Sequence, residues 1–117
     1  SDGVFILDAN TTQRLKLITT YPPMCKEFDN NYFFMKLLQK NETNFLFDVR
    51  ILLKTDEELY REEKEMIEET TRTGEEVYML LSHYFSNITV FNDKNELISK
   101  NKFKENEKNR WFYICRV

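Results

Sequence analysis

Val4-Phe5-Ile6-Leu7 is a short apolar run closed by Asp8-Ala9-Asn10. A run of that length, bounded by turn-forming residues, predicts a buried strand. Leu15, Leu17 and Thr19 then alternate with Arg14, Lys16 and Ile18. That period predicts a half-exposed strand, paired with the first as a hairpin and stopped by Pro22-Pro23, since proline cannot donate to a ladder. From Met24 to Lys40 the spacing changes. Met24, Phe28, Tyr32, Met35 and Gln39, with Leu38 alongside, recur as on one or two short helices, and Asp29 or Asn30 is placed to cap the second. Phe45, Phe47, Val49, Ile51 and Leu53 alternate with Asn44, Asp48 and Arg50, which predicts a strand.

Thr55-Asp56-Glu57-Glu58 has the spacing of a capping box, in which the threonine hydroxyl and the fourth residue's carboxylate each accept from the other's amide. A helix to about Thr73 follows, with Gly74 as its left-handed stop. Its apolar positions, Leu59, Tyr60, Met66 and Ile67, form one narrow stripe, so it would lie on a surface. Residues 76–85 fit two periods. Val77, Leu80, Leu81, Tyr84 and Phe85 suit a helix; Val77, Met79, Leu81, His83 and Phe85 suit a strand, which is favoured because Gly74 has just ended a helix. Ile88 to Phe91 and Glu96 to Ser99 read as a hairpin about Asn92-Asp93-Lys94-Asn95. Lys100 to Asn109 reads as a loop, and Arg110 to Val117 as a strongly aromatic strand.

The chain has 117 residues, the length of one domain, and its 41% hydrophobic and 32% charged residues are a globular composition. Ten Phe, six Tyr and one Trp supply a core or a pocket lining. Two Gly and two Pro argue against a glycine-rich phosphate cradle and against an all-β fold of many tight turns. The net charge of −3 provides no overall field for nucleic acid or an anionic membrane. The locally basic stretch from Lys94 to Arg110, beside Phe103 and Trp111 to Tyr113, reads as a solvated loop next to a core strand, so no nucleic-acid partner is expected. No apolar run is long enough to span a bilayer. Cys25 and Cys115 read as reduced thiols of a cytoplasmic domain; one disulfide in an exported domain is the alternative, which the sequons at Asn10, Asn41 and Asn87 would suit.

Candidate chemistry is sparse. His83 is the sole histidine, and one His with two distant Cys is no zinc set. Cys25 lies near a possible helix start, but no motif supplies it with a base. The carboxylates Asp56, Glu57, Glu58, Glu62, Glu63, Glu65, Glu68 and Glu69 read as a solvated helix face, with docking of a basic partner as their sharper use. No catalytic residue, metal or particular cofactor follows, and the chain is expected not to be an enzyme.

The order strand, strand, short helices, linking segment, helix and late strands resembles a PAS-type sensor domain. Ser1-Asp2-Gly3-Val4-Phe5-Ile6-Leu7-Asp8 is similar to the opening strand of that family. Glu57 to Gly74, followed by Glu75-Glu76-Val77, resembles its connecting helix and next strand, and Arg110 to Val117 a late sheet strand. The resemblance implies a single α+β domain over residues 1–117, cut from a longer protein or standing alone. It implies an antiparallel sheet of about five strands with helices packed on one face. The function implied is a non-enzymatic module of signal transduction that binds a small ligand, self-associates as a dimer or acts on an attached signalling domain. The candidate ligand-binding residues are Phe33, Phe34, Leu37, Phe47, Ile51, Met79 and Leu81. A protein–protein interaction domain without a ligand, including a small viral or secreted effector, is the alternative.

Overall fold

The structure, a computed structural model, describes residues 3–55 and 59–117. Among these residues the chain runs β1 (Phe5–Asn10), α1 (Thr12–Ile18), β2 (Met24–Phe28), β3 (Asn31–Gln39), β4 (Asn44–Lys54), β5 (Tyr60–Thr70), α2 (Gly74–Ser82), β6 (Asn87–Asn92) and β7 (Arg110–Arg116). Two 3-10 turns, Lys100–Lys102 and Lys104–Asn106, precede β7. The strands form two antiparallel sheets, and the chain divides into two units. Unit 1 is the chain up to Leu17 together with Thr71–Val117; unit 2 is Ile18–Thr70. The expected PAS-like sheet of about five strands backed by helices is therefore corrected to separate sheets of three and four strands. The paucity of glycine and proline did not prevent a mainly β structure, because Asn and Asp serve its turns.

Unit 1 is built on β7, which lies between β1 and β6 and is antiparallel to both. Its side chains alternate: Trp111, Tyr113 and Cys115 are buried on one face, while Phe112 and Ile114 point to the other. The expected hairpin of β1 with residues 14–19 does not form, because that segment is α1. Thr11 Oγ1 accepts from the Arg14 amide at 3.0 Å, as an N-cap does, and buried Leu15 lies one turn further on. Residues 74–82 are likewise helical rather than a strand. Gly74 opens α2 instead of ending a helix: the Glu76 amide donates to Thr73 Oγ1 at 3.1 Å and the Thr73 amide to Glu76 Oε1 at 3.2 Å, a complete capping box. The expected hairpin after β6 forms about residues 92–95 but is short: Phe91 is bridged to Leu97, with the Asn92 amide donating to the Glu96 carbonyl at 3.0 Å and the Ile98 amide to the Val90 carbonyl at 2.8 Å.

Unit 2 is a meander in the order β2-β3-β4-β5. The expected helices over residues 24–40 are instead β2 and β3. Asp29 and Asn30 have φ of 49° and 65°, which is the left-handed pair of a two-residue hairpin turn rather than a helix cap. The expected helix from Thr55 is also absent over the described part, since residues 60–70 form β5. Asp56, Glu57 and Glu58 lie outside the described residues, while Thr55 turns onto Leu59, donating to its carbonyl through the amide at 2.7 Å. β5 pairs with β4 along its whole length, from Lys54↔Tyr60 to Asn44↔Thr70. Ile67, expected on a buried helix stripe, is 46% exposed on this outer strand.

Candidate functional site

The two faces of the unit 1 sheet differ. On one, α2 and the segment after β6 cover Trp111, Tyr113 and Cys115, with Val90, Ile98 and Phe103 completing the core. Phe103 packs on Trp111 at 4.9 Å between ring centroids, and Phe5 stacks on Phe85 at 5.6 Å. The other face presents Ile6 from β1, Phe91 from β6, and Phe112 and Ile114 from β7. With Asn95 at the rim they line an open hollow of about 400 Å³. Asp8 and Arg110 form an ion pair of 2.9 Å beyond its end.

A knot of polar groups fixes the covered side. The Gly74 amide donates to Glu107 Oε1 at 2.7 Å, Tyr113 OH donates to the Gly74 carbonyl at 2.9 Å, and Thr11 Oγ1 donates to the Glu107 carbonyl. Trp111 Nε1 donates to the Asn106 carbonyl at 2.8 Å. Burial pushes the Glu107 carboxyl above the ordinary carboxylate value, against the bonds it accepts from the Gly74 and Glu75 amides. Burial, with Glu107 nearby, also pushes the Tyr113 phenol upward. Each group in this knot is occupied by another, so its role is to hold Trp111 and the start of α2. Phe103, Trp111 and Tyr113 are core residues and present no stacking platform beside the basic stretch.

In unit 2 the register brings four candidate residues together. Phe33 lies opposite Ile51 and Leu37 opposite Phe47, all on one face of the β3–β4 pair. Phe34 is on the other face, opposite Arg50. Glu65 and Glu63 of β5 lie opposite Val49 and Ile51, and these four with Lys64 line a hollow of about 170 Å³. Met79 and Leu81 belong to α2 in unit 1, where Leu81 packs on the core and Met79 is exposed. His83 is exposed at the C-cap of α2. Cys25 is exposed and Cys115 buried, both as free thiols. Glu62, Glu63, Glu65, Glu68 and Glu69 line β5 rather than a helix.

The chain is similar to a solved S-adenosylmethionine-dependent methyltransferase from Clostridium acetobutylicum, with a TM-score of 0.67 and 18% identity. The likeness is one of fold. It extends over 98% of this chain and 44% of that one, so the chain spans less than half the length of the protein it matches. No protein-family model matches the sequence, and no curated protein matches it. This fold replaces the PAS-type resemblance. The expectation of a non-enzymatic signal-transduction sensor or ligand-free interaction domain rested on that resemblance and falls with it, since the fold is one found in a methyltransferase. Sequence reasoning missed the bare face of unit 1. Its signal was β7 itself, where both alternating sets of residues are apolar, as in strands covered on two sides. No helix among the described residues is long and apolar enough to cross a membrane.

Proposed function

We propose that this chain is part of a methyltransferase that takes its methyl group from S-adenosylmethionine, and that it supplies the surroundings of the acceptor rather than the cradle of the cofactor. The observation that carries the reading is the likeness to the Clostridium acetobutylicum methyltransferase over 98% of the chain.

The division of labour rests on this chain's own residues. A nucleoside-bearing cofactor is commonly received where a strand enters a helix through a glycine-rich turn, with an acidic side chain for the ribose hydroxyls. The passage from β1 into α1 has no glycine. Its Thr11 and Thr12 are buried, and they are hydrogen-bonded to Glu107 and Thr71. The start of α2 has Gly74, but the Trp111 indole fills the space on its open side. The described residues therefore do not fit S-adenosylmethionine, and the cradle belongs to polypeptide outside residues 1–117. Phe33, Phe47 and Ile51 are half-buried and offer an apolar surface for the acceptor, while Leu37 on the same face is buried and supports it. Glu65 beside it, with Glu63 shared with Arg61 at 3.2 Å, favours an acceptor that carries a cationic group.

Calorimetry with S-adenosylmethionine on the complete polypeptide, beside the 117-residue chain, tests both parts. The complete polypeptide binds the cofactor and transfers tritiated methyl groups to an amine panel, and the 117-residue chain does not bind. Absence of binding by the complete polypeptide refutes the methyltransferase reading. Equal binding by the short chain refutes the division of labour.

A further inference from the structure

Resting on that reading and naming its partner surface, we infer that the outer edge of β1 and the bare face of the unit 1 sheet seat the rest of the same polypeptide, which adds a strand to β1 and lays apolar side chains on Ile6, Phe91, Phe112 and Ile114.

Three observations carry this. The first is the edge. Among the described residues β1 is hydrogen-bonded to β7 alone, and Val4, Phe5 and Ile6 are 47%, 46% and 66% exposed. Strands that stay at an edge are usually guarded by charge, proline or a bulge. β5 has that guard, in Arg61, Glu62, Glu63, Lys64 and Glu65, whereas Val4 to Leu7 carry no charge and the one charged residue of β1, Asp8, is paired with Arg110 at 2.9 Å. An unguarded apolar edge invites another strand.

The second is the face. Ile6, Phe91, Phe112 and Ile114 line an open hollow of about 400 Å³ that is almost wholly apolar. The central strand β7 thus has apolar side chains on both faces, the pattern of a sheet covered twice. The third is length. The similar methyltransferase has more than half its chain beyond the part that this one matches, since the match takes up 44% of it. That excess selects as occupant the remainder of one polypeptide rather than a second copy of this chain.

The test compares the complete polypeptide, translated from its own reading frame, with the 117-residue chain. Hydrogen exchange over residues 4–10 should be roughly a hundredfold slower in the complete polypeptide. Binding of 1-anilinonaphthalene-8-sulfonate, strong in the short chain, should be lost. Ile6→Lys should leave the short chain's melting temperature unchanged and lower that of the complete polypeptide. Equal exchange in the two proteins overturns the inference, as does a reading frame that adds no residues. So does a dimer of the short chain that Ile6→Lys dissociates, because a second copy is then the occupant. Cofactor binding is read separately. Protection of β1 without S-adenosylmethionine binding keeps the docking surface and removes the methyltransferase reading; binding with β1 unprotected does the reverse.

Discussion

Gly74→Ala tests the packing at the centre of unit 1. A Cβ at this position would stand 2.5 Å from Cδ2, Cε3 and Cζ3 of Trp111, closer than carbon atoms approach without a shift. The indole has little freedom to move. It is fully buried, its Nε1 is bonded to the Asn106 carbonyl at 2.8 Å, and Phe103 and Tyr113 lie against it at 4.9 and 6.0 Å. Overpacking a core of this kind costs about 1–3 kcal/mol, and contact with a pinned ring belongs at the upper end. Against it stands the advantage of alanine over glycine in a helix and in the unfolded chain, at most about 1 kcal/mol. The clash wins, with a net loss of about 2 kcal/mol. Trp111 is the sole tryptophan, so urea unfolding followed by its fluorescence reports on this contact directly. Trp111→Phe, followed by circular dichroism, completes a double-mutant cycle: the added methyl group should cost less against the smaller ring. A Gly74→Ala protein as stable as its parent, or a cycle with no coupling, would refute the packing described for α2 and β7.

Other outcomes follow from the same features. Burial raises Glu107 above its unfolded value, so its contribution to stability is full below the ordinary carboxylate range and is lost as pH rises through its folded value. Glu107→Gln keeps an oxygen for the Gly74 amide and should flatten that decline in urea midpoints as pH rises above the ordinary carboxylate range; an unchanged slope refutes the assignment. Thr73→Ala should cost about 1 kcal/mol in urea unfolding through loss of the capping box, while Thr55→Ala should not remove a helix cap. A thiol reagent should modify Cys25 at once and Cys115 only on unfolding; rapid reaction of both would contradict the buried position of Cys115.

The strands legible in the sequence are those whose pattern is strongly two-periodic or whose apolar run is short and well bounded: β1, β4, β6 and β7. β5 was not legible because its Glu- and Lys-rich sequence has good helix propensity. The ladder that makes it a strand is set by β4, outside any local window. The capping signal is degenerate too. Thr55-x-x-Glu58 and Thr73-x-x-Glu76 have the same spacing, and only the second is seen to close a box on a helix. Choosing the first made Gly74 a terminator and pushed 76–85 towards a strand. In β3, Tyr32 to Leu38 is apolar on both alternating sets apart from Lys36, which imitates helical spacing as readily as it fits an inner strand. Apolar surfaces were visible as residue types, but which of them share a face depended on pairings between distant segments.

The register that joins Phe5 to Cys115 also sets an order of events at the ribosome. Unit 2 consists of neighbours in sequence, and hairpins of that kind form in microseconds once their residues are free. β1 has no such neighbour: its partner β7 is made nearly a whole chain later, on the order of ten seconds at ordinary elongation rates. β1 thus emerges before β7 yet waits for it, and unit 2 is structured before the sheet of unit 1 is complete. A nascent chain halted anywhere before Arg110 would display the apolar stretch Val4 to Leu7 without the strand that is to cover one of its edges. For that interval the segment has no native pairing to guard it.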